Sequence, residues 1–466
     1  MYEALLLGSL SLYLAVCAAY ARTEQAHFAH PATFYLAFHG LVFAVRPLVA
    51  YWLEFDFIYR LYGFTPSMAD KITVILGANL AMLVFIGVTC WLCRQDHLMP
   101  APDYAPWRAR LLRPMLLATA FIAPAGIWSQ IGNWAQRAGY YDSMVRDAAT
   151  GTLINTSQVG WFTDLGLMLA PLAVMLIWVT RYRWWSWLFF AVFAVLQAGT
   201  GTRGPLVYAV LALAILYLVE TRRRWPEWRA LLAIGLVAIA FSQILVDRGE
   251  NVRQRFTGAA GQAQVQLRVL RPLEDMDFAG LEYFEFVVYA VPQRSGSYDF
   301  FASNLQILTE PIPRALWRDK PVGSPVQFFS LWDYGRPIGM TLSVPGAGWM
   351  ALGWAGIVVQ SLTFALLYGG LYRAFVLRRT DAVALLAYAS LAATAVVVLR
   401  DGALISLVRV LPFYLGPLVL VLLLLRASAS PEPVAQTPQA GLAGEANPAE
   451  RRRSLAARAD AYGWRQ

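Results

Sequence analysis

The stretch Ile72–Leu92, ITVILGANLAMLVFIGVTCWL, holds 21 residues without an ionised side chain. An α-helix of that length is about 30 Å long and matches the hydrocarbon thickness of a bilayer. Because lipid offers no hydrogen-bond partner to backbone N–H and C=O groups, a helix is the structure expected for such a stretch. The stretch therefore predicts a helix that crosses a membrane.

This stretch is one of about eleven apolar runs, which together predict an all-α, polytopic membrane helical bundle. The other runs lie near Leu5–Tyr20, Ala32–Leu53, Pro114–Gln130, Val159–Val179, Trp184–Ala198, Pro205–Val219, Ala230–Val246, Leu342–Tyr372, Ala382–Leu399 and Ala403–Leu425. The composition agrees, since 58% of the residues are hydrophobic and only 14% are charged. Soluble domains contain roughly 25% charged residues, so the soluble classes are excluded.

Arginine and lysine are unevenly divided between the two sets of loops that alternate along the chain. One set, together with the C-terminal tail, carries twenty of these residues. The short loops of the other set carry five: Arg60, Lys71, Arg137, Arg146 and Arg203. Cytoplasmic loops hold the excess of cations, so we predict that the N-terminus lies outside and the C-terminus inside. The net charge of +9 then reflects membrane topology and does not indicate nucleic-acid binding.

The chain divides into four predicted parts. Residues 1–246 form an N-terminal bundle of about eight spans, and residues 342–426 add about three more. Between them, residues 247–341 form one long outer loop that contains short helices. The tail, residues 427–466, is rich in Pro, Ala, Glu and Arg and is expected to be disordered and cytoplasmic.

The cysteines give no sign of a metal site or a disulfide framework. Cys17, Cys90 and Cys93 all lie in or at the end of apolar runs. The Cys90-x-x-Cys93 pair has no second pair to close a tetrahedral site, so ordinary helix packing is expected. We predict no metal.

The outer loop contains ten cations, although the positive-inside rule requires none on the outer face. It holds Arg248, Arg253, Arg255, Arg268, Arg271, Arg294, Arg314, Arg318, Lys320 and Arg336. Arginine forms bidentate contacts with phosphate, so a lipid-linked phosphate or diphosphate is the ligand we expect. An amphipathic segment solvated at the membrane surface remains the alternative.

Two further arginines occupy notable positions. Arg203 lies in the turn GTGTRGP, residues 199–205, where Pro205 begins a helix whose free N–H groups suit an anion. A tight hairpin whose arginine reaches the interface explains the same turn. Arg46 lies inside the second apolar run, where a charge is costly unless it is paired or lines a cavity. Both interpretations of each arginine stay open.

The order of these segments resembles the Wzy-type polymerases of O-antigen or oligosaccharide repeat units. The resemblance rests on the Gly-Thr-Arg turn, on the run IPRALWRDKP at Ile312–Pro321, and on the glycine-rich runs PGAGW at Pro345–Trp349 and LGWAG at Leu352–Gly356. It implies a metal-independent, cofactor-free GT-C-type glycosyltransferase in the bacterial inner membrane, with its site facing the periplasm. The substrate would be undecaprenyl-diphosphate-linked oligosaccharide in a lipid membrane. A flippase and a chain-length regulator would be its protein partners.

The implied chemistry assigns roles to residues of the turn and the loop. Cations would stabilise the departing diphosphate, and a carboxylate would take the proton of the acceptor hydroxyl. The candidate catalytic residues are Arg203, Arg253, Arg294, Glu250 and Asp299, with Glu310 as a third carboxylate. The candidate substrate-binding residues are Arg255, Arg314, Lys320, Arg336, Trp317 and Tyr334.

Two other functions remain in competition with polymerisation. An O-antigen ligase would transfer the finished chain to a lipid core, but that family usually carries a histidine in its large outer loop. All four histidines here, His27, His30, His39 and His97, lie elsewhere. A flippase or exporter of lipid-linked oligosaccharide would be expected to show repeat symmetry, which the sequence lacks.

Overall fold

The computed structural model of the chain describes residues 1–94, 103–136, 144–146, 153–155, 164–200, 203–229, 232, 273–274, 278–309, 311–312, 316–317, 326, 328–329, 331–334 and 341–428. These residues are helical apart from loops and one short antiparallel hairpin, in which Val145 pairs with Ile154. Residues 1–424 form one compact unit. Of the second unit, residues 425–466, only the end of the last helix is described.

The helices and strands follow in chain order. They are α1 Tyr2–Ala21, α2 Pro31–His39, a π-helix Gly40–Val45, α3 Arg46–Trp52, α4 Phe57–Tyr62, α5 Met68–Leu92, α6 Ala105–Gln136, β1 Met144–Arg146, β2 Leu153–Asn155, a 3-10 turn Leu165–Met168, α7 Leu169–Val179, α8 Trp184–Thr200, α9 Gly204–Glu220, α10 Gly280–Ala290, a 3-10 turn Ala302–Leu305, α11 Gln306–Thr309, a 3-10 turn Leu331–Tyr334, α12 Ser343–Leu377, α13 Ala382–Ala393, α14 Ala395–Asp401 and α15 Leu404–Ser428.

Among the described residues, seven helical stretches are long and apolar enough to cross a membrane. They are Tyr2–Ala21, Pro31–Trp52, Met68–Leu92, Ala105–Trp134, Ser343–Leu377, Ala382–Asp401 and Leu404–Ser428. Shorter apolar helices cover Leu165–Val179, Trp184–Thr200 and Gly204–Glu220. The class of helical membrane protein is thereby confirmed. The predicted run Ala230–Val246 lies outside the described residues except for Leu232, and the number of spans stays a prediction.

Helix α5 packs along α12 and also contacts α1, α2 and α10. It begins with a capping box: the Ser67 hydroxyl accepts from the Asp70 backbone N–H at 3.1 Å, and Asp70 accepts from the Ser67 N–H at 2.8 Å. Further along, Asn79 accepts a hydrogen bond of 3.0 Å from Ser9 of α1. The capping box starts α5 just before Lys71 and so places this lysine at one end of the bundle.

The second membrane-spanning stretch changes from an α-helix to a π-helix just before Arg46. Residues Gly40–Val45 are π-helical, and Pro47 then follows Arg46. Proline has no N–H to donate to the carbonyl four residues earlier, which favours a wider turn at this point. The Arg46 side chain is only 1% exposed, so it points into the protein.

Helix α12 is broken near its start and folds back on itself. Leu352 and Gly353 have non-helical dihedral angles, and Gly353 adopts a φ of +59° that glycine tolerates best. A Cβ on Gly356 would overlap the carbonyl oxygen of Gly348. In a straight helix these two glycines would lie about 12 Å apart. The glycine-rich runs Pro345–Trp349 and Leu352–Gly356 thus belong to a short arm, residues 343–351, and to the turn by which it folds against the long helix.

The ends of the other helices carry ion pairs and polar contacts. Arg108 Nη2 contacts Glu220 Oε2 at 2.5 Å, and His27 Nε2 lies 2.8 Å from the Tyr372 hydroxyl. Arg409 lies 3.4 Å from Asp164. These contacts join segments that are distant in sequence.

Candidate functional site

Helix α10 brings two carboxylates into the interior. Its sequence GLEYFEFVVYA is too short to span a bilayer, yet all of its residues except Tyr289 are buried. Leu281, Phe284 and Val288 pack with α5 and α12, while Tyr283 packs against α4. Glu282 and Glu285 are spaced i, i+3 and are 2% and 1% exposed.

Glu282 is paired with an arginine from the other half of the chain. Arg46 Nη2 donates to Glu282 Oε1 at 2.7 Å, and the two residues are 236 positions apart. The Arg46 guanidinium also lies 6.0 Å from the centre of the Phe55 ring. Of the two interpretations of Arg46 that the sequence leaves open, the structure supports a buried ion pair.

Glu285 has a neutral hydrogen-bond donor as its closest partner. The Tyr59 hydroxyl donates to Glu285 Oε2 at 2.5 Å. The ammonium of Lys71 lies 5.0 Å from the centre of the Tyr59 ring, so it faces the same region. We call Arg46, Tyr59, Lys71, Glu282 and Glu285 the carboxylate cluster.

The two carboxylates of the cluster have different electrostatic environments. Burial raises the pKa of Glu285 to about 7, although Lys71 and the Tyr59 hydrogen bond oppose the rise. Burial also raises the pKa of Glu282, and the adjacent Arg46 guanidinium opposes it. A carboxyl whose pKa lies near neutrality is able to exchange a proton at physiological pH.

The cluster contains buried polar atoms whose hydrogen bonds are not made. Arg46 Nε and Nη1 and Glu282 Oε2 have no hydrogen-bond partner among the described residues. Each such atom costs about 1–3 kcal/mol unless water or a ligand satisfies it. The cluster is therefore a polar site inside an apolar bundle, and it has capacity to bind a further polar group.

The cluster lies at one end of the bundle. Lys71 is in the first turn of α5, Arg46 is the first residue of the short helix α3 that ends at Trp52, and Tyr59 belongs to α4 between these helices. Tyr2, at the start of α1, packs against Tyr51 with ring centres 5.9 Å apart. These termini share the end of the bundle that the loop charges predict to be outside.

Two predicted catalytic residues lie in the loop that follows α10. The exposed Arg294 guanidinium stacks 3.4 Å from the centre of the Tyr289 ring and donates to the Tyr289 carbonyl at 2.5 Å. Asp299 is buried, and its Oδ2 accepts from the Ser303 N–H at 3.0 Å and from the Ser303 hydroxyl at 2.8 Å. Burial raises the pKa of Asp299, but its hydrogen bonds are those of a cap on the following turn.

The same loop is fixed to the short arm of α12. The Asp299 and Phe300 N–H groups each donate at 2.9 Å, to the carbonyls of Met350 and Ala351 respectively. These carbonyls lie at the end of the arm, where a helix has no internal donors for them. The loop and the arm therefore form one unit beside α10.

The remaining predicted residues are dispersed or undescribed. Arg203 directly precedes α9 and is half-buried; its carbonyl accepts from the Leu206 and Val207 N–H groups. Tyr334 packs against the core formed by α10, and Trp317 is exposed. The residues outside the described part are Glu250, Arg253, Arg255, Glu310, Arg314, Lys320 and Arg336. Convergence of these cations on one pocket stays a prediction.

Sequence reasoning gave Glu282 and Glu285 no role. The sequence did contain a signal for them: two carboxylates at i, i+3 spacing lie within an apolar run that is too short to span a bilayer. Charges in an apolar interior are rarely left unpaired, so this pattern indicates a buried site with cationic or hydrogen-bonding partners. No protein-family model, curated protein or solved structure matches the chain.

Proposed function

We propose that the protein is a membrane glycosyltransferase that polymerises lipid-linked oligosaccharide repeat units on the outer face of the bacterial inner membrane. The donor would carry its sugar on undecaprenyl diphosphate. The observation that supports this proposal is the carboxylate cluster, which combines two buried carboxylates with an arginine and a lysine. It lies at the end of the bundle for which the loop charges predict an outer location.

The charges of the cluster match the demands of glycosyl transfer. The acceptor hydroxyl must lose a proton, and the diphosphate must leave with the electron pair of the glycosidic bond. Cations near the reacting centre stabilise the charge that develops on the leaving group. The diphosphate is already a good leaving group, so the proposed reaction requires neither nucleotide nor metal.

The loop arginines are proposed to hold the diphosphate of the lipid. Arg294 is exposed beside α10 and Arg203 directly precedes α9, so both lie at helix ends. Arg253, Arg255, Arg314, Lys320 and Arg336 would supplement them. Trp317 and Tyr334 would contact the sugar rings.

The proposal is tested with the purified protein in lipid vesicles that contain undecaprenyl-diphosphate-linked repeat units. We expect a ladder of products that grow by one repeat unit, formed without nucleotide. Arg294→Ala should lose the ladder, whereas Arg378→Ala, an exposed arginine at the other end of α12, should keep it.

Other results would point to the competing functions. Transfer of lipid-linked units across the bilayer without elongation would indicate a flippase or exporter. Transfer of a finished chain to a lipid core alone would indicate a ligase. Either result contradicts the proposed polymerase.

A further inference from the structure

We propose that Glu285 is the general base that accepts the proton of the acceptor sugar hydroxyl, and that Arg46 holds Glu282 in an ion pair as its non-reacting neighbour. This inference rests on the proposed glycosyl transfer and assigns its proton acceptor. It departs from Glu250, Asp299 and Glu310, the carboxylates that the sequence favours.

The partners of the two glutamates separate their roles. Glu282 forms an ion pair of 2.7 Å with Arg46, whose guanidinium stays protonated. Glu285 has no ion pair within 4 Å among the described residues, and it accepts a hydrogen bond of 2.5 Å from the Tyr59 hydroxyl. Two neighbouring carboxylates in different environments are a common arrangement for one charged group and one proton acceptor.

Charged and titratable groups face Glu285 from four other elements. They are Tyr2 of α1, Arg46 of α3, Tyr59 of α4 and Lys71 of α5, together with Glu282 of the same helix. Tyr2, Tyr59 and Lys71 are half-buried. The buried carboxylate of Glu285 is therefore covered by side chains that are themselves partly exposed at the protein surface.

Asp299 is less suited to the role because its hydrogen bonds are already used. Its Oδ2 accepts both the Ser303 N–H and the Ser303 hydroxyl, and its own N–H is bonded to Met350. These contacts hold the loop against the arm of α12. Removing Asp299 would disturb that junction whether or not it takes part in chemistry.

The proposed step balances in protons and electrons. The acceptor O–H bond breaks as its proton moves to Glu285, and the oxygen forms a bond to the anomeric carbon of the donor. The bond from that carbon to the diphosphate oxygen breaks, and its electron pair leaves with the lipid diphosphate. Glu285 then returns the proton to water.

The charge of the cluster changes in the direction that favours this step. With both carboxylates ionised, Glu282 and Glu285 balance Arg46 and Lys71. When Glu285 takes the proton, the cluster gains one net positive charge while the diphosphate gains negative charge. Opposite charges that develop together at short range in a buried site stabilise the transition state.

The test is the pH dependence of ladder formation in vesicles by wild type, Glu285→Gln, Tyr59→Phe and Tyr62→Phe. Wild-type activity should fall as the pH drops through about 7, where the carboxylate becomes protonated. Glu285→Gln should lose about a hundredfold or more of the rate. Glu285→Asp, which keeps a carboxylate, should retain more activity than Glu285→Gln.

The two tyrosine variants form a matched pair. Tyr59→Phe removes the donor that stabilises the ionised Glu285, so its profile should shift to higher pH. Tyr62 lies in the same short helix but contacts the Tyr283 hydroxyl at 3.3 Å, so Tyr62→Phe should keep the wild-type midpoint. The tyrosine comparison still tests the inference if Glu285→Gln does not fold.

The outcomes separate this inference from the proposed function. A wild-type protein that forms no ladder overturns the proposed function and the inference with it. An active wild type beside an equally active Glu285→Gln overturns the inference alone. Coincident pH profiles of Tyr59→Phe and Tyr62→Phe also overturn the inference alone.

Discussion

At the scale of single residues, the Arg46–Glu282 pair carries a large energetic consequence because it is an ion pair in the protein interior. Both side chains are almost fully buried, so each has lost its hydration. Their attraction offsets that desolvation only while both are present, and removing one partner leaves a buried charge without compensation. The exposed Arg60–Asp56 pair, at 2.5 Å, has a shorter distance but remains hydrated. Distance alone therefore does not rank ion pairs.

We predict that Arg46→Met lowers the free energy of unfolding by about 3–5 kcal/mol. The double variant Arg46→Met, Glu282→Met should recover most of this loss, because it removes both charges. Unfolding in detergent micelles measures both values. As a control, Arg60→Met should cost about 1 kcal/mol or less, since Arg60 and Asp56 are 57% and 51% exposed. Equal losses for Arg46→Met and Arg60→Met would contradict the prediction.

At the scale of structural elements, the broken helix α12 determines what lies beside α10. Its short arm turns back at Leu352 and Gly353, and the loop after α10 hydrogen-bonds to the end of that arm. The fold-back requires two backbones to touch at Gly348 and Gly356. Only glycine permits such an approach, because any Cβ would enter the space of the opposite backbone.

We predict that Gly356→Ala destabilises the protein by about 1–3 kcal/mol, because the new Cβ meets a backbone atom that has no alternative rotamer. The thermal unfolding midpoint in detergent reports the change. Gly370→Ala is the matched control in the same helix, since a Cβ there meets nothing within 4 Å. Its effect should be neutral or stabilising by up to about 1 kcal/mol, as alanine favours a helix over glycine. If the midpoint of Gly356→Ala were at or above that of Gly370→Ala, the close backbone contact between Gly348 and Gly356 would not have the stabilising role given to it here.

At the scale of the whole molecule, the orientation in the membrane decides which compartment the carboxylate cluster faces. The cluster shares its end of the bundle with the start of α1, the end of α3 and the start of α5. The Arg373–Arg379 region lies at the other end of α12 and belongs to the cation-rich set of loops. The positive-inside distribution predicts that these two ends lie on opposite sides of the membrane.

We predict that a cysteine at Gln293, exposed in the loop after α10, reacts with a membrane-impermeant maleimide in intact spheroplasts. A cysteine at Thr380, exposed after α12, should react only once the membrane is opened. The wild-type chain gives the background, since Cys93 is buried and Cys17 and Cys90 are half-buried. The reverse labelling pattern would place the cluster in the cytosol and would end the proposed function.

The sequence by itself determined the helical membrane class and the approximate positions of most apolar helices. Hydropathy is a sum over neighbouring residues, so a run such as Ile72–Leu92 carries its own preference for lipid wherever it lies in the fold. Only the tertiary structure decided that Arg46 pairs with Glu282 and that Tyr59 meets Glu285. Each of these contacts joins residues more than 200 positions apart. It exists because separate helices pack together, and no local property of either segment specifies its distant partner.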